Sequence, residues 1–327
     1  MLLLGICFFS CVPEDVVAEI GEGEKGGCTH LSPEFAKLLP SAKDESLKRE
    51  IVKTLSHLPK PHAQQFLAIA NDISNSTALR TQALAALVQA QEMKAAPVVI
   101  KALADMPQEK TSIIAALGGS FQGCQLLIHL VDTKKIAAPD ISFPVAERII
   151  YLAKNNPTAK AIHQQAVAKR NKNVTTSMAR IPKLEKLAEA KSGNPDIGKA
   201  LFTGMCLSCH VVGEQGTGVG PALDGSAKRE THALLTALFN PDVAAESAYV
   251  LFRTIETSGV ITEGLKTKQN ARGTSIAHQG GMTSYIPHRT ISQQHHAGST
   301  SFMPTGLISS MPDETIAHIL AYIRTLK

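Results

Sequence analysis

The sequence predicts a mainly α protein in two parts: a helical repeat region over residues 31–190, then an all-α domain over 194–327 interrupted by a small β insertion. Three observations carry this expectation. A chain of 327 residues is long enough for two domains of ordinary size, and 44% apolar content with no Trp and few aromatics suits a Leu- and Ala-rich helical protein. Leu55, Leu87 and Leu117 mark equivalent points roughly 30 residues apart, the range in which helical pairs stack into solenoids. Further on, the β-branched and aromatic run Tyr249 to Thr257 is turned by Ser258-Gly259 into a second such run, as in a hairpin.

Residues 1–30 open with an apolar stretch, Leu2 to Phe9, and Phe9-Ser10-Cys11 is similar to a lipoprotein cleavage site. No Lys or Arg precedes the run, as a secretory leader requires, and it is too short to span a bilayer. A leader, a membrane tether and a cropped gene start all remain open. Paired amphipathic helices follow: Ser46 to Leu58, then Pro59, Pro61 and Ala63 to Ala70; Leu79 to Ala90, then Ala95 to Ala104; Thr111 to Leu117, then Gln125 to Val131. The run Leu79 to Leu87 resembles the first helix of a HEAT-type repeat, whose small Ala positions allow close packing; a plain helical bundle is the alternative. His57, His62, His129 and His163 are isolated on these patterns and read as satisfied or exposed side chains rather than ligands.

Charge shifts between Lys154 and Lys191, where nine basic residues face only Glu185 and Glu189. Such a stretch attracts an acidic partner, a membrane surface or nucleic acid. No aromatics interleave it as a nucleic-acid platform requires, so it reads as a solvated helix and linker, with no nucleic-acid partner. From Asn194 onward ten basic residues balance ten acidic ones.

The second domain begins at Asn194-Pro195-Asp196, a capping Asn with Pro at the first helical position. Gly198 and Phe202 share one face of this helix. Thr231 to Phe239 reads as a helix stopped by Asn240-Pro241. The β insertion, about 249–290, comprises Tyr249 to Thr257, Val260 to Thr267, Thr274 to His278 and Thr283 to Ile286. His295-His296 falls in what reads as a solvated polar loop. Met311 to Leu326 closes the chain as a helix with an apolar stripe of Ile316, Ile319, Leu320, Ile323 and Leu326.

Within this domain stands Cys206-Leu207-Ser208-Cys209-His210, the Cys-x-x-Cys-His attachment signal of c-type haem. Two thiols must add to two vinyl groups on one edge of the porphyrin while the adjacent histidine turns its imidazole onto the iron, and one short helical turn meets all three demands. Rival readings of Cys-x-x-Cys are a thioredoxin-type pair, which expects a βαβ setting, and half a zinc site, which expects a second ligand pair. His210 argues against the first, and no second pair appears. The remaining cysteines, Cys7, Cys11, Cys28 and Cys124, are too scattered for a disulfide framework.

The opening helix with Gly198 and Phe202, the haem motif, Gly220-Pro221-Ala222-Leu223, Met303-Pro304, and a closing helix with Ile319 and Tyr322 together resemble a class I cytochrome c. The strands between the motif and Met303, and the segment Ser301-Phe302-Met303-Pro304-Thr305-Gly306-Leu307, are similar to the haem-binding domain of planctomycete-type bacterial proteins, which often follows HEAT-like repeats. The resemblance implies an all-α cytochrome c fold with a small β insertion. Gly198 would let the terminal helices cross with Phe202 and Tyr322 at the crossing, and Pro221 would lie against His210, whose N–H donates to a backbone carbonyl.

It further implies one covalent haem c bound by Cys206, Cys209, His210, Pro221 and Met303, with His210 and Met303 on the iron. Competitors for the sixth position are Met282, Met311, His288, His295 and His296. Met303 is preferred because it lies in a non-helical loop stiffened by Pro304 and turned at Gly306. The expected function is transfer of single electrons between an exported dehydrogenase or other redox partner protein and an acceptor, in the periplasm or another exported location, with no enzymatic activity of its own. Two other readings are kept: a haem enzyme or ligand sensor using His295-His296 as distal acid and base, and a scaffold whose haem is structural.

Overall fold

A computed structural model describes residues 36–327 apart from Lys43, Leu58 and Pro59. The expected leader, with Cys7, Cys11 and Cys28, and the proline after the first repeat helix lie outside the described residues. The chain divides into two compact units, one of residues up to Ala168 with Ile255–Thr262 and Thr290–Gln293, the other of Lys169–Thr254, Glu263–Arg289 and Gln294–Lys327.

The first unit is built from α1 (Glu45–Ser56), α2 (Ala63–Asn71), α3 (Thr77–Gln91), α4 (Ala96–Asp105), α5 (Lys110–Leu117), α6 (Phe121–Asp132), α7 (Phe143–Leu152) and the first half of α8 (Pro157–Met178). Polar caps set several starts. The Leu47 N–H donates to the Asp44 carboxylate, the Leu79 N–H to Ser76 Oγ and the Gly123 N–H to Ser120 Oγ. Ser76 therefore starts α3 ahead of its first large apolar residue.

α3 packs against α1, α2, α5 and α6. It buries Leu79, Ala83, Leu84, Leu87 and Val88 together with Arg80, Thr81 and Gln89, so little of it faces water. Its polar side chains are used between helices: Gln82 Nε2 donates to the Arg49 carbonyl, Gln89 Nε2 to the Ser56 carbonyl, and Thr77 Oγ1 to the Glu109 carboxylate. These links recur at separations of 32 and 33 residues. The Ile255–Thr262 segment adds Ile255 and Ile261 to this core, and the Ile261 N–H donates to the Gly119 carbonyl.

The second unit holds α9 (Ile181–Glu189), α10 (Pro195–Met205), α11 (Thr231–Phe239) and α12 (Asp313–Ile323). The Asn194 side chain accepts from the Asp196 and Ile197 N–H groups and starts α10. A Cβ on Gly198 would lie 1.9 Å from the His318 carbonyl oxygen, so α10 and α12 cross with their backbones in contact. The Phe202 and Tyr322 rings meet edge to face at the crossing, 5.1 Å between centroids. Ile181 and Leu184 of α9 complete a second apolar cluster with Leu235, Phe239, Ile308, Ile316 and Leu320.

Here the expectation of an all-α cytochrome c fold with a small β insertion is overturned. The C-terminal region contains two antiparallel sheets, one of them five-stranded. β1 (Val211–Val212) and β2 (Gln215–Gly216) form a short hairpin beside the cysteine turn. β3 (Val250–Glu256), β4 (Ile261–Gln269), β5 (Gly273–Ala277), β6 (Thr283–Pro287) and β7 (Ile291–Ser301) form a sheet of order β6-β5-β4-β3-β7, which runs past residue 290 to Ser301. The four apolar runs correspond to β3–β6. β7 was invisible because Ile291 to Ser301 lacks the apolar and polar alternation of a half-buried strand: as an edge strand with mostly exposed side chains, it is held through its backbone. His295 and His296 therefore lie on a strand, not in a polar loop.

Candidate functional site

α10 delivers the cysteines. Its ladder continues one turn beyond Met205, with the Cys206 N–H donating to the Phe202 carbonyl and the Cys209 and His210 N–H groups to the Cys206 carbonyl, so Cys206, Cys209 and His210 share a single turn. The segment that follows folds back over this turn. Thr217 donates through its N–H to the Leu207 carbonyl and through Oγ1 to the Ser208 carbonyl; the Gly220 N–H donates to the Cys209 carbonyl and the Leu223 N–H to the Val211 carbonyl. From the β5–β6 connection, the Gly280 N–H also donates to the Ser208 carbonyl. The turn is thus clamped on carbonyls that a helix end leaves without intrahelical partners.

His210 Nδ1 lies 2.8 Å from the Pro221 carbonyl oxygen. A carbonyl only accepts, so Nδ1 carries the proton and donates, and the lone pair of the neutral ring resides on Nε2. Gly220 makes room for this: a Cβ there would lie 2.9 Å from Nδ1 and 3.0 Å from the neighbouring ring carbon. Gly213, at φ +57°, makes the tight β1–β2 turn, and Gly216, at φ +107°, lets β2 pass close beneath the His210 carbonyl, which a Cβ there would meet at 1.9 Å.

Burial, with a smaller contribution from Cys209, pushes the Cys206 thiol up to about 12. A half-buried thiol whose pKa is raised is unlike the activated thiolate of a disulfide oxidoreductase. Among the described residues, no group of three or more His, Cys, Asp or Glu side chains is arranged to hold a metal ion, as a structural zinc site needs. Two thiols and an imidazole with its Nε2 lone pair on one turn fit a covalently attached haem.

Met303 lies beyond β7, half-buried, in a loop with its own anchors. Its N–H donates to Ser301 Oγ, the Phe302 N–H to the Tyr249 carbonyl and the Ser301 N–H to Asp242 Oδ1. The Phe302 ring packs with Val219, Leu265 and Ala277, and Val219 immediately precedes the Gly220-Pro221 pair that cradles His210. Cys206, Cys209, His210 and Pro221 are therefore brought together directly, and the Met303 loop is joined to them through this small cluster.

The competitors are placed differently. Met282 is 70% exposed. Met311 packs into the cluster of Phe202, Leu207 and Ile319 to which Cys206 also belongs. His288 Nε2 lies 3.3 Å from Thr274 Oγ1, and His296 stands edge-on to the Phe252 ring. His295 is half-buried, and its pKa is lowered by desolvation and then by the nearby Arg253 charge.

Sequence reading missed the clamp of Thr217, Gly220 and Gly280 and the anchoring of the Met303 loop by Asp242. The Gly-rich stretch from Gly213 to Gly220 was a signal for the clamp. Asp242 has no local signal, because its partners are Ser301 and Arg170, far away in the chain.

No curated protein matches this chain. The family model for cytochrome c matches residues 195–269, a minority of the chain that includes the cysteine turn, His210 and Pro221 but ends before Met303. The match supports a cytochrome c-like domain over residues 195–269, the class of module that carries haem for electron transfer.

Proposed function

We propose that this protein is an exported, single-haem c-type cytochrome that passes electrons singly between a redox partner protein, such as a dehydrogenase, and an acceptor. The observation that carries the reading is the 2.8 Å contact from His210 Nδ1 to the Pro221 carbonyl on the turn that bears Cys206 and Cys209. It presets the tautomer and orientation of a ligand before any iron is present, and it raises ligand basicity. When bound, haem supplies the one-electron iron couple, and the chain holds it covalently through Cys206 and Cys209. His210 and Met303 would ligate its iron, with Pro221 beside His210. The soft, neutral sulfur of Met303 favours the reduced iron and raises the potential.

The helical unit serves as the docking surface for the partner. Links between helices at 32- and 33-residue separations support a HEAT-like arrangement of that unit.

The test is expression of the full chain with c-haem maturation machinery. Haem stain is expected to stay with the polypeptide on a denaturing gel and to disappear in the Cys206→Ala, Cys209→Ala double variant. Stain surviving the double change would refute the attachment. Met303→Ala is expected to abolish the near-infrared sulfur-to-iron band and lower the potential, whereas Met311→Ala does neither; the opposite pattern assigns the ligand to Met311. A reduced protein that does not react with peroxide and binds carbon monoxide only slowly separates the carrier from a haem enzyme or sensor.

A further inference from the structure

We infer that Asp242 and Arg170 are positioning residues for the sixth ligand: together they hold the Ser301–Thr305 loop so that Met303 is presented from a fixed backbone. The inference rests on Met303 being that ligand.

Three elements converge on this loop. α11 ends in buried Phe239, and buried Pro241 opens a single 3₁₀ turn, Pro241–Val243, which fixes the backbone of Asp242. One carboxylate oxygen of Asp242 accepts from the Ser301 N–H at 3.0 Å. The other is paired with the Arg170 guanidinium, which reaches in from α8, and both side chains are less than one-fifth exposed. The same Arg170 nitrogen, Nη2, donates to Thr305 Oγ1 at 3.1 Å. The loop is thus gripped two residues before Met303 and two residues after it, with the Met303 N–H itself on Ser301 Oγ.

A thioether is a weak, neutral ligand, so its occupancy of the iron depends on how much chain freedom must be lost to hold it there. Charge-assisted hydrogen bonds at both ends of a five-residue loop remove much of that freedom in advance. Among the described residues, nothing else in the geometry requires a carboxylate at 242: its turn is already made by Pro241, and its side chain bonds the Met303 loop and Arg170.

The full-chain holoprotein tests this with Asp242→Asn and Thr305→Val, read beside Met303→Ala. Asp242→Asn weakens the grip at both ends; Thr305→Val removes only the Arg170 acceptor. Both variants are expected to retain covalent haem. They should lose part of the sulfur-to-iron band, lower the reduction potential, and bind carbon monoxide to the reduced iron about tenfold faster in Asp242→Asn, as the ligand-off state becomes more populated, with a smaller change in Thr305→Val. If band, potential and carbon monoxide rate stay at wild-type values in both while Met303→Ala abolishes the band, the positioning role is overturned even if thermal stability falls. If Met303→Ala itself keeps the band, the ligand reading fails, and this inference with it. Should Asp242→Asn not fold, Thr305→Val decides alone.

Discussion

Two glycines of one helix illustrate how differently single residues can be constrained. A methyl group at Gly198 would sit 1.9 Å from the His318 carbonyl oxygen, a backbone atom that can yield only if α12 itself moves. At Gly204, six residues later in α10, nothing lies within 4 Å of an added Cβ. Gly198→Ala is therefore expected to cost roughly 2–3 kcal/mol through overpacking at the helix crossing. Gly204→Ala should instead stabilise by up to about 1 kcal/mol, because a helical Gly pays backbone entropy that Ala does not. Urea unfolding of the two variants checks both signs, and equal effects would mean that the crossing is less tight than the geometry states. The residue types at Gly198, Phe202 and Tyr322 were legible in the sequence because helical spacing puts the first two on one face and the resemblance supplied the third. Gly204 has no partner to make it legible.

Among the elements, α12 depends most visibly on charge. Asp313, in its first turn, takes a hydrogen bond from Lys183 and one from Arg180 Nε, and the Arg180 guanidinium also donates to the Ser309 and Met311 carbonyls ahead of the helix. The Lys183 hydrogen bond holds the Asp313 carboxyl below the usual carboxylate range; burial, the next cause, pushes the other way, and the Arg180 hydrogen bond and the Arg180 and Lys183 charges add to the lowering. A folded-state pKa below the unfolded value stabilises the protein above the ordinary carboxylate pKa of about 4, and that contribution is lost as pH falls through the depressed value. Wild type should therefore be more stable than Asp313→Asn at neutral pH, by roughly 1 kcal/mol, with the gap closing as pH falls below the ordinary carboxylate range. Denaturant midpoints of both proteins across that range provide the measurement; a gap independent of pH would assign the effect to packing. The apolar stripe of α12 was readable from its helical period, but the basic residues that hold its start were read as a solvated linker, because their partners lie some 130 residues away.

For the molecule as a whole, the division between units matters more than any one contact. The second unit begins at Lys169, within α8, and its cores use Ile181 and Leu184 of α9 as well as Arg170 and Arg180. A fragment from Lys169 to Lys327 should therefore unfold at higher urea than one from Asn194 to Lys327, which lacks those side chains; equal midpoints would show that α9 adds nothing to the unit. The sequence alone determined the chemistry-bearing turn, the Asn194 cap, the apolar stripe of α12 and four of the five strands of the larger sheet, since each is written in neighbours a few residues apart. Tertiary structure decided the rest. β7 forms because β3 offers its backbone, although its side chains carry no strand period. Pro221 presents its carbonyl to His210 because Gly220 leaves space for the ring. Arg170 and Asp242 grip the Met303 loop only once α8, α11 and the end of the sheet are packed together, and local patterns cannot record a contact made between segments 59 to 135 residues apart.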